Sequence, residues 1–153
     1  MKKLQGVAAA LAAMSMLASV PASAEGVNSA EKLRRLDIML MVTGLRCRTT
    51  VDNFQADYGS FTTNHLTELN AASDALKADF AARYGAAGAN RALDRMSTTM
   101  ANAYGGGHPW LSCSELKMIA QGLANAQGTA PLEAAADQLL GEQGTAQLAL
   151  ARF

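Results

Sequence analysis

Cys47 and Cys113 are the only thiol side chains in this sequence, and thiol groups have the most definite chemistry available to it. Two thiols either oxidise to a disulfide or contribute to a metal site. A metal site needs more ligands at suitable spacing, yet there is no C-x-x-C motif and only His65 and His108 could complete the set. If the chain is exported to an oxidising compartment, we therefore expect a disulfide between Cys47 and Cys113.

Glu133 and Asp137 are the only two acidic residues three or four positions apart, the spacing that places side chains on one face of a helix. Paired carboxylates can act as general acid and base, and with His108 nearby they would suit a small hydrolase or lyase. The pair lies off the apolar stripe of its predicted helix, which favours a solvated surface. We assign no catalytic residue.

The loop from residue 105 to residue 111 contains His108, Pro109 and Trp110 after three consecutive glycines. As a candidate recognition loop it would use Trp110 as an aromatic anchor and His108 as a pH-sensitive contact. The favoured interpretation is structural: Trp110 covers one end of the core and His108 is partly exposed. His65, at the start of a predicted helix, is expected to be solvated.

Motifs for nucleotide binding and for serine hydrolases do not occur, so we expect no cofactor. The methionines of the mature chain could bind a soft metal, but their helical spacing favours core packing. They are Met39, Met41, Met96, Met100 and Met118. We assign no metal ligand.

The N-terminus has the three parts of a secretory signal peptide. Two lysines precede an apolar stretch over residues 7–20, and residues 22–24 form an A-x-A cleavage site. We expect a signal peptide over residues 1–24, with cleavage after Ala24 and a periplasmic or secreted product. The alternative, a membrane anchor, needs roughly 18 unbroken apolar residues, and serines and a proline interrupt this stretch.

Thirteen basic and thirteen acidic residues balance in the full chain, and the leader removes two lysines. The mature protein is therefore nearly neutral, with no electrostatic footprint for nucleic acid. We expect no nucleic-acid partner, no stable membrane anchor after cleavage, and a protein partner in the periplasm as the candidate interaction.

Apolar residues recur at steps of three and four, which is the spacing of amphipathic helices. The sequence predicts an all-α fold, a compact bundle of four to five helices with one disulfide, in a single domain over residues 25–153 with its core at about 28–141. The first stripe predicts one helix from Asn28 to about Tyr58. Its members are Leu33, Leu36, Leu40, Gly44, Cys47, Val51, Phe54 and Tyr58.

Four more helices are predicted by caps and glycine stops. They are a helix from residues 62–64 to a stop at Gly85, one over residues 89–104, one that starts with a capping box at Ser112 and closes at Gly128, and one from Thr129 to a stop at Gly141 or Gly144. Cys47 lies on the buried stripe of the first helix and Cys113 in the first turn of the fourth.

Two segments, LDIMLMVTGLRCR at residues 36–48 and GHPWLSCSELK at residues 107–117, carry a resemblance. Over most of residues 30–140 the chain resembles a family of small exported alphaproteobacterial helical proteins of unknown function. Some members carry the label S-adenosyl-L-homocysteine hydrolase, which implies an NAD-dependent enzyme with a dinucleotide-binding fold. This sequence lacks the glycine fingerprint and the strands of that fold, so no catalytic residue is carried over.

The function expected from the sequence is that of an exported, non-enzymatic helical protein that binds a macromolecular partner or acts in envelope maintenance. As a small helical chain with one expected disulfide, it also resembles single-disulfide periplasmic chaperones and toxin-binding immunity proteins. The alternatives are the small hydrolase or lyase described above and a helical protein that binds a small ligand between its helices.

Overall fold

The computed structural model describes residues 22–141, with side chains from residue 26. This part of the chain contains five α-helices. They are α1 (Ala22–Cys47), α2 (Gln55–Asn64), α3 (Leu66–Tyr104), α4 (Cys113–Ala124) and α5 (Thr129–Leu140). No strand occurs within these residues, so the predicted all-α bundle is confirmed. Of the predicted signal peptide, residues 1–21 lie outside the described residues.

The predicted single helix over residues 28–58 is wrong, because α1 ends at Cys47 and α2 starts at Gln55. The hydroxyl of Thr50 donates to the carbonyl of Cys47 at 2.8 Å, and Asn53 Oδ1 accepts the backbone N–H of Gln55 at 3.0 Å. Such short polar side chains bond to nearby backbone groups and so compete with helical hydrogen bonds. Val51, predicted to be buried, is 95% exposed.

A kink divides α3 at Gly85, where the sequence predicts a helix stop. The glycine has φ 75° and ψ 166°, a conformation that is almost exclusive to glycine. The backbone returns to helical geometry at once, so the two predicted helices follow each other without a loop. The glycine break is confirmed, and the expected connection over residues 86–88 is wrong.

The capping box at Ser112 is confirmed. Its hydroxyl accepts the N–H of Glu115 at 3.3 Å, and its own N–H donates to the Glu115 carboxylate at 2.8 Å. α4 ends at Ala124, earlier than the predicted Gly128. α5 starts at the predicted Thr129 and ends at Leu140, directly before Gly141, the first of its two predicted stops.

The core forms around α1, which contacts all four other helices and packs mainly against α3 and α5, while α2 packs mainly against α4. Its largest fully buried apolar side chains come from every helix and from the turn before α2. They are Leu36, Met39, Leu40, Phe54, Phe61, Leu76, Leu116 and Leu132.

The predicted disulfide is confirmed. Cys47, the last residue of α1, is bonded to Cys113, the first residue of α4, with their Cα atoms 5.7 Å apart. The bond fixes the C-terminal end of the central helix to α4. Among the described helices, none combines the length and the apolar character needed to span a bilayer.

Candidate functional site

A cavity of about 690 Å³ opens between α1 and α3. We call it the α1–α3 cleft. α1 contributes Glu31 and Arg35 to its lining, and all other lining residues belong to α3. The principal side chains from α3 are Phe80, Tyr84, Arg91, Arg95, Met96 and Met100.

The side chains of α3 that line the cleft lie on both sides of the kink at Gly85. Phe80 and Tyr84 precede the kink, and their ring centroids lie 6.2 Å apart. The two arginines and two methionines follow it. A Cβ atom on Gly88 would lie 2.9 Å from Cβ of Tyr84, so the missing side chain of Gly88 lets Tyr84 lie against the helix backbone.

Cationic side chains outnumber anionic ones in the cleft, with three guanidinium groups against one carboxylate. The exposed Arg91 and Arg95 stand one helical turn apart on α3, and the half-buried Arg35 lines the same cavity from α1. The ion pairs among the described residues, between Lys32 and Asp137, Arg34 and Asp37, and Arg83 and Asp79, include none of these three arginines.

Apolar side chains form the inner part of the lining. Met100 and Tyr104 are buried, and Phe80 and Met96 are half-buried. Burial raises the pKa of the Tyr104 hydroxyl, and the neighbouring Arg35 guanidinium opposes that rise. The hydroxyl therefore stays protonated at neutral pH. In chemical terms the cleft offers guanidinium donors beside aromatic and thioether surface.

A second cavity, of about 150 Å³, lies between α1 and the C-terminal end of α5. Glu31 and Arg35 line this cavity as well as the cleft, and Asp137 and Gly141 line it from the other side. The face of α1 that carries Glu31 and Arg35 thus separates two cavities.

His108 is buried, so the expectation of a partly exposed histidine is wrong. Its Nε2 atom lies 3.1 Å from the carbonyl oxygen of Leu139. The imidazole stacks on Tyr104 with 5.9 Å between centroids and meets the edge of Trp110 at 4.4 Å. Burial lowers the pKa of His108. Within the candidate recognition loop, Trp110 is half-buried and Pro109 is exposed, whereas His108 packs into the bundle.

His65 is buried too, and its predicted solvated position is wrong. Its Nε2 atom lies 2.7 Å from the carbonyl oxygen of Leu123, which joins the junction of α2 and α3 to α4. The Nδ1 atom is buried and has no hydrogen-bond partner among the described residues. The Phe61 ring packs against the imidazole at a centroid distance of 5.3 Å.

The carboxylates of α5 both contact α1. Ser29 donates its hydroxyl to Glu133, and Lys32 Nζ lies 2.7 Å from Asp137. Asp137 is exposed as predicted, whereas Glu133 is half-buried. The cavity lined by Asp137 includes neither Glu133 nor His108. The structure does not bring the three groups of the hydrolase alternative into that cavity.

A half-buried acidic group that the sequence did not single out is Asp37 in α1. Tyr58 donates its hydroxyl to this carboxylate at 2.9 Å, and an Arg34 nitrogen lies 3.8 Å away. Burial raises the pKa of Asp37, while the Tyr58 hydrogen bond and the Arg34 charge lower it. Arg34 also donates to Ser97 at 3.2 Å, so the network links α1, α2 and α3 and is accounted for by packing.

Methionine placement follows the core prediction in part. Met39 and Met100 are buried, and Met96 packs against the core. Met41 and Met118 are 39% and 62% exposed, so core packing is wrong for these two. Within residues 26–141, no three side chains of His, Cys, Asp or Glu are grouped as a metal ion would require.

Comparison with protein-family models, with curated protein sequences and with solved structures yields no match for this chain. The resemblance described from the two sequence segments stays a prediction. The class of protein is therefore defined by its own geometry, which is a single-disulfide helical bundle with a cationic and aromatic cleft.

Sequence reasoning missed the residues of this cleft. Phe80 and Tyr84 continue the apolar spacing of their predicted helix, which indicates core packing, and nothing in the sequence assigns a role to Arg35, Arg91 or Arg95. The available signal was the spacing of Arg91 and Arg95, which places two cations on one helix face, with Asp94 as the one acidic residue within a turn of both.

Proposed function

We propose that this chain is an exported, non-enzymatic helical protein that binds a small ligand in the α1–α3 cleft. The observation that carries the proposal is the cleft itself, with about 690 Å³ lined by aromatic, methionine and arginine side chains. Ligand sites are typically concave, largely apolar and furnished with a few polar groups, and they commonly have volumes of about 300–1,000 Å³.

The other two expected functions have less support from the geometry. A macromolecular partner was expected at the loop over residues 105–111, but the imidazole of that loop is packed against Tyr104 and Leu139. A hydrolase was expected from Glu133, Asp137 and His108, and all three groups are used in contacts with other parts of the bundle. The three arginines of the cleft take part in no ion pair among the described residues.

Export is proposed from the N-terminal sequence and is supported by the disulfide. A bond between Cys47 and Cys113 is stable in an oxidising compartment such as the periplasm and is rare in a reducing cytosol. The bond also fixes α1, which carries one wall of the cleft. A rigid wall suits a binding site because less conformational freedom is lost when the ligand binds.

The test is a dye-binding experiment that fills the cleft by mutation. The probes are the neutral dye N-phenyl-1-naphthylamine and its sulfonated analogue 8-anilinonaphthalene-1-sulfonate, whose fluorescence rises in apolar sites. Ala92→Trp adds an indole to a half-buried position of the lining, and Ala134→Trp adds the same group to an exposed position of α5.

We expect Ala92→Trp to weaken binding of at least one dye by about tenfold or more, because the indole occupies the volume that the dye needs. Ala134→Trp is expected to leave the affinity within about twofold of the original. Circular dichroism and urea unfolding verify that both variants remain folded. Equal affinities of Ala92→Trp and the original protein for both dyes would contradict binding in the cleft.

A further inference from the structure

We infer that the α1–α3 cleft selects amphipathic anions, meaning ligands with one negatively charged group on an apolar or aromatic body. This inference rests on the proposed function and names its ligand class. The charged group is defined by its chemistry, a carboxylate, sulfonate or phosphate, and the body is defined by the aromatic and thioether surface.

The arginines specify the charged group. Arg91 and Arg95 project from the same face of α3 and are exposed, and Arg35 lines the same cavity from α1. A guanidinium binds oxyanions through two parallel N–H groups, so guanidinium groups from two helices can share one anionic head. Glu31 supplies the only negative charge of the lining, which leaves an excess of positive charge.

Other charged groups near the cleft do not cancel this excess. Arg83 lies over the Phe80 ring, 5.9 Å from its centroid, and forms an ion pair with Asp79. That pair is neutral as a unit, and none of the ion pairs within the described residues supplies a carboxylate to Arg91 or Arg95. Asp94, the acidic residue between them in sequence, is exposed and outside the lining, and one further negative charge still leaves the three arginines in excess. A cation would meet net repulsion in this cavity.

The apolar side chains specify the body of the ligand. Phe80 and Tyr84 present rings, and Met96 and Met100 present flexible thioethers that adapt to irregular shapes. A small inorganic anion would use the arginines alone and leave this surface in water. An amphipathic anion uses both, and the volume of about 690 Å³ is large enough for a molecule of drug-like size.

The experiment compares the two dyes, because they differ by a single sulfonate group. We expect 8-anilinonaphthalene-1-sulfonate to bind at least about tenfold more tightly than N-phenyl-1-naphthylamine. The double variant Arg91→Gln with Arg95→Gln is expected to remove most of that difference and to leave the affinity for the neutral dye within about twofold. Lys117→Gln, which removes one cation from α4 outside the cleft lining, is the matched control and is expected to change neither affinity.

Two further arms extend the test to aliphatic ligands and to salt. Decanoate is expected to displace the sulfonated dye, whereas decyltrimethylammonium and inorganic phosphate at the same concentration are not. Raising the salt concentration from about 0.02 M to about 0.5 M is expected to weaken binding of the sulfonated dye, since exposed charges are screened.

The outcomes separate this inference from the proposed function. Equal affinities for both dyes, both lost in Ala92→Trp, would overturn selectivity for anions and leave a ligand cleft in place. Displacement by decyltrimethylammonium as effective as that by decanoate would also overturn it. Binding of both dyes that Ala92→Trp does not weaken would overturn the proposed function together with the inference. Arg91 and Arg95 are exposed, so their replacement is not expected to disturb the core. Unchanged binding of the neutral dye verifies that the double variant keeps its fold.

Discussion

The imidazole of His108 contacts the carbonyl of Leu139, with Nε2 at 3.1 Å from the oxygen, and so joins the loop after α3 to the last turn of α5. A carbonyl oxygen only accepts hydrogen bonds, so Nε2 carries a proton. The backbone N–H of Trp110 lies 3.5 Å from Nδ1 and points to it as a donor. Both contacts are made by the neutral ring, and a second proton on Nδ1 would remove one of them.

Stability is expected to fall on acidification because of His108. Burial lowers its pKa below the ordinary 6.5, so the unfolded chain takes up a proton at a higher pH than the folded chain does. The contribution of His108 to the free energy of unfolding is complete above pH 6.5 and is lost as the pH falls through the lower pKa that the residue has in the folded chain. The free energy of unfolding in urea, measured from about pH 8 to about pH 5, checks this.

His108→Phe provides the comparison, since it keeps an aromatic ring and removes the titrating group. At pH 8 we expect the variant to be less stable by about 1–3 kcal/mol, because the Leu139 carbonyl loses its partner. The difference should shrink as pH falls, since only the original protein loses the His108 contribution. Hydrogen bonds from Ser112 lower the pKa of the nearby Glu115 in both proteins. The effect of Glu115 on stability therefore largely cancels when the two proteins are compared. A difference that stays constant with pH would contradict the prediction.

Removal of the disulfide is expected to reduce stability by roughly 4 kcal/mol, from the loss of a cross-link between residues 66 positions apart. The variant is Cys47→Ala with Cys113→Ala, which leaves no thiol to react. The measurement is urea unfolding, and the control is the original protein treated with reductant, which should lose a similar amount. A loss below about 1 kcal/mol would show that the cross-link does little to restrict the unfolded chain.

Export is expected to produce one defined species, the chain cleaved after Ala24 with its two thiols oxidised. Intact mass spectrometry of protein isolated from the periplasm, before and after reduction and alkylation, measures both features at once. Two thiols that alkylate without prior reduction would contradict the bond, and a retained leader would contradict cleavage. The two outcomes are independent, because a retained leader leaves the thiol count unchanged.

Local sequence signals were sufficient for the parts of the fold that depend on near neighbours. The capping box at Ser112 predicted the start of α4, and Gly85 predicted the break in α3, since each is decided within one helical turn. The stripe that includes Val51 and Phe54 failed because spacing alone does not weigh the Thr50 and Asn53 side chains that bond to the backbone. A periodic pattern can therefore continue through a turn.

Val51 and Phe54 have equal places in the sequence stripe and opposite places in the structure. Phe54 is fully buried and Val51 is 95% exposed. Phe54→Ala is expected to cost about 3–5 kcal/mol, since it leaves a cavity in the core. Val51→Lys should change stability by no more than about 0.5 kcal/mol. Urea unfolding of both variants checks the pair. A large loss of stability from Val51→Lys would contradict the exposed position of Val51 and favour the predicted continuous helix.

The cleft could not be predicted from the sequence because it depends on how two helices pack against each other. Arg35 and Arg91 are far apart in the chain, and they share a cavity because α1 packs on α3. Helical spacing identifies the face of one helix but not the face of another that lies opposite. The buried His65 and His108 were missed for a related reason, since both bond to backbone carbonyls of distant helices.

The kink at Gly85 offers a prediction that joins the fold to the cleft. Gly85→Ala is expected to reduce stability by about 1–3 kcal/mol, because φ 75° with ψ 166° is strained for any residue with a Cβ atom. The same variant should weaken dye binding, because relief of the strain reorients Phe80 and Tyr84 relative to the rest of the lining.

Gly122→Ala is the matched control, since Gly122 lies inside α4 and a Cβ atom there would meet no atom within 4 Å. We expect it to raise stability by up to about 1 kcal/mol through helix propensity and to leave dye binding unchanged. Urea unfolding and titration with both dyes measure the two effects on the same samples. If Gly85→Ala bound both dyes as tightly as Gly122→Ala does, the kink would be needed for the fold alone, and the aromatic residues before it would not contribute to the binding site.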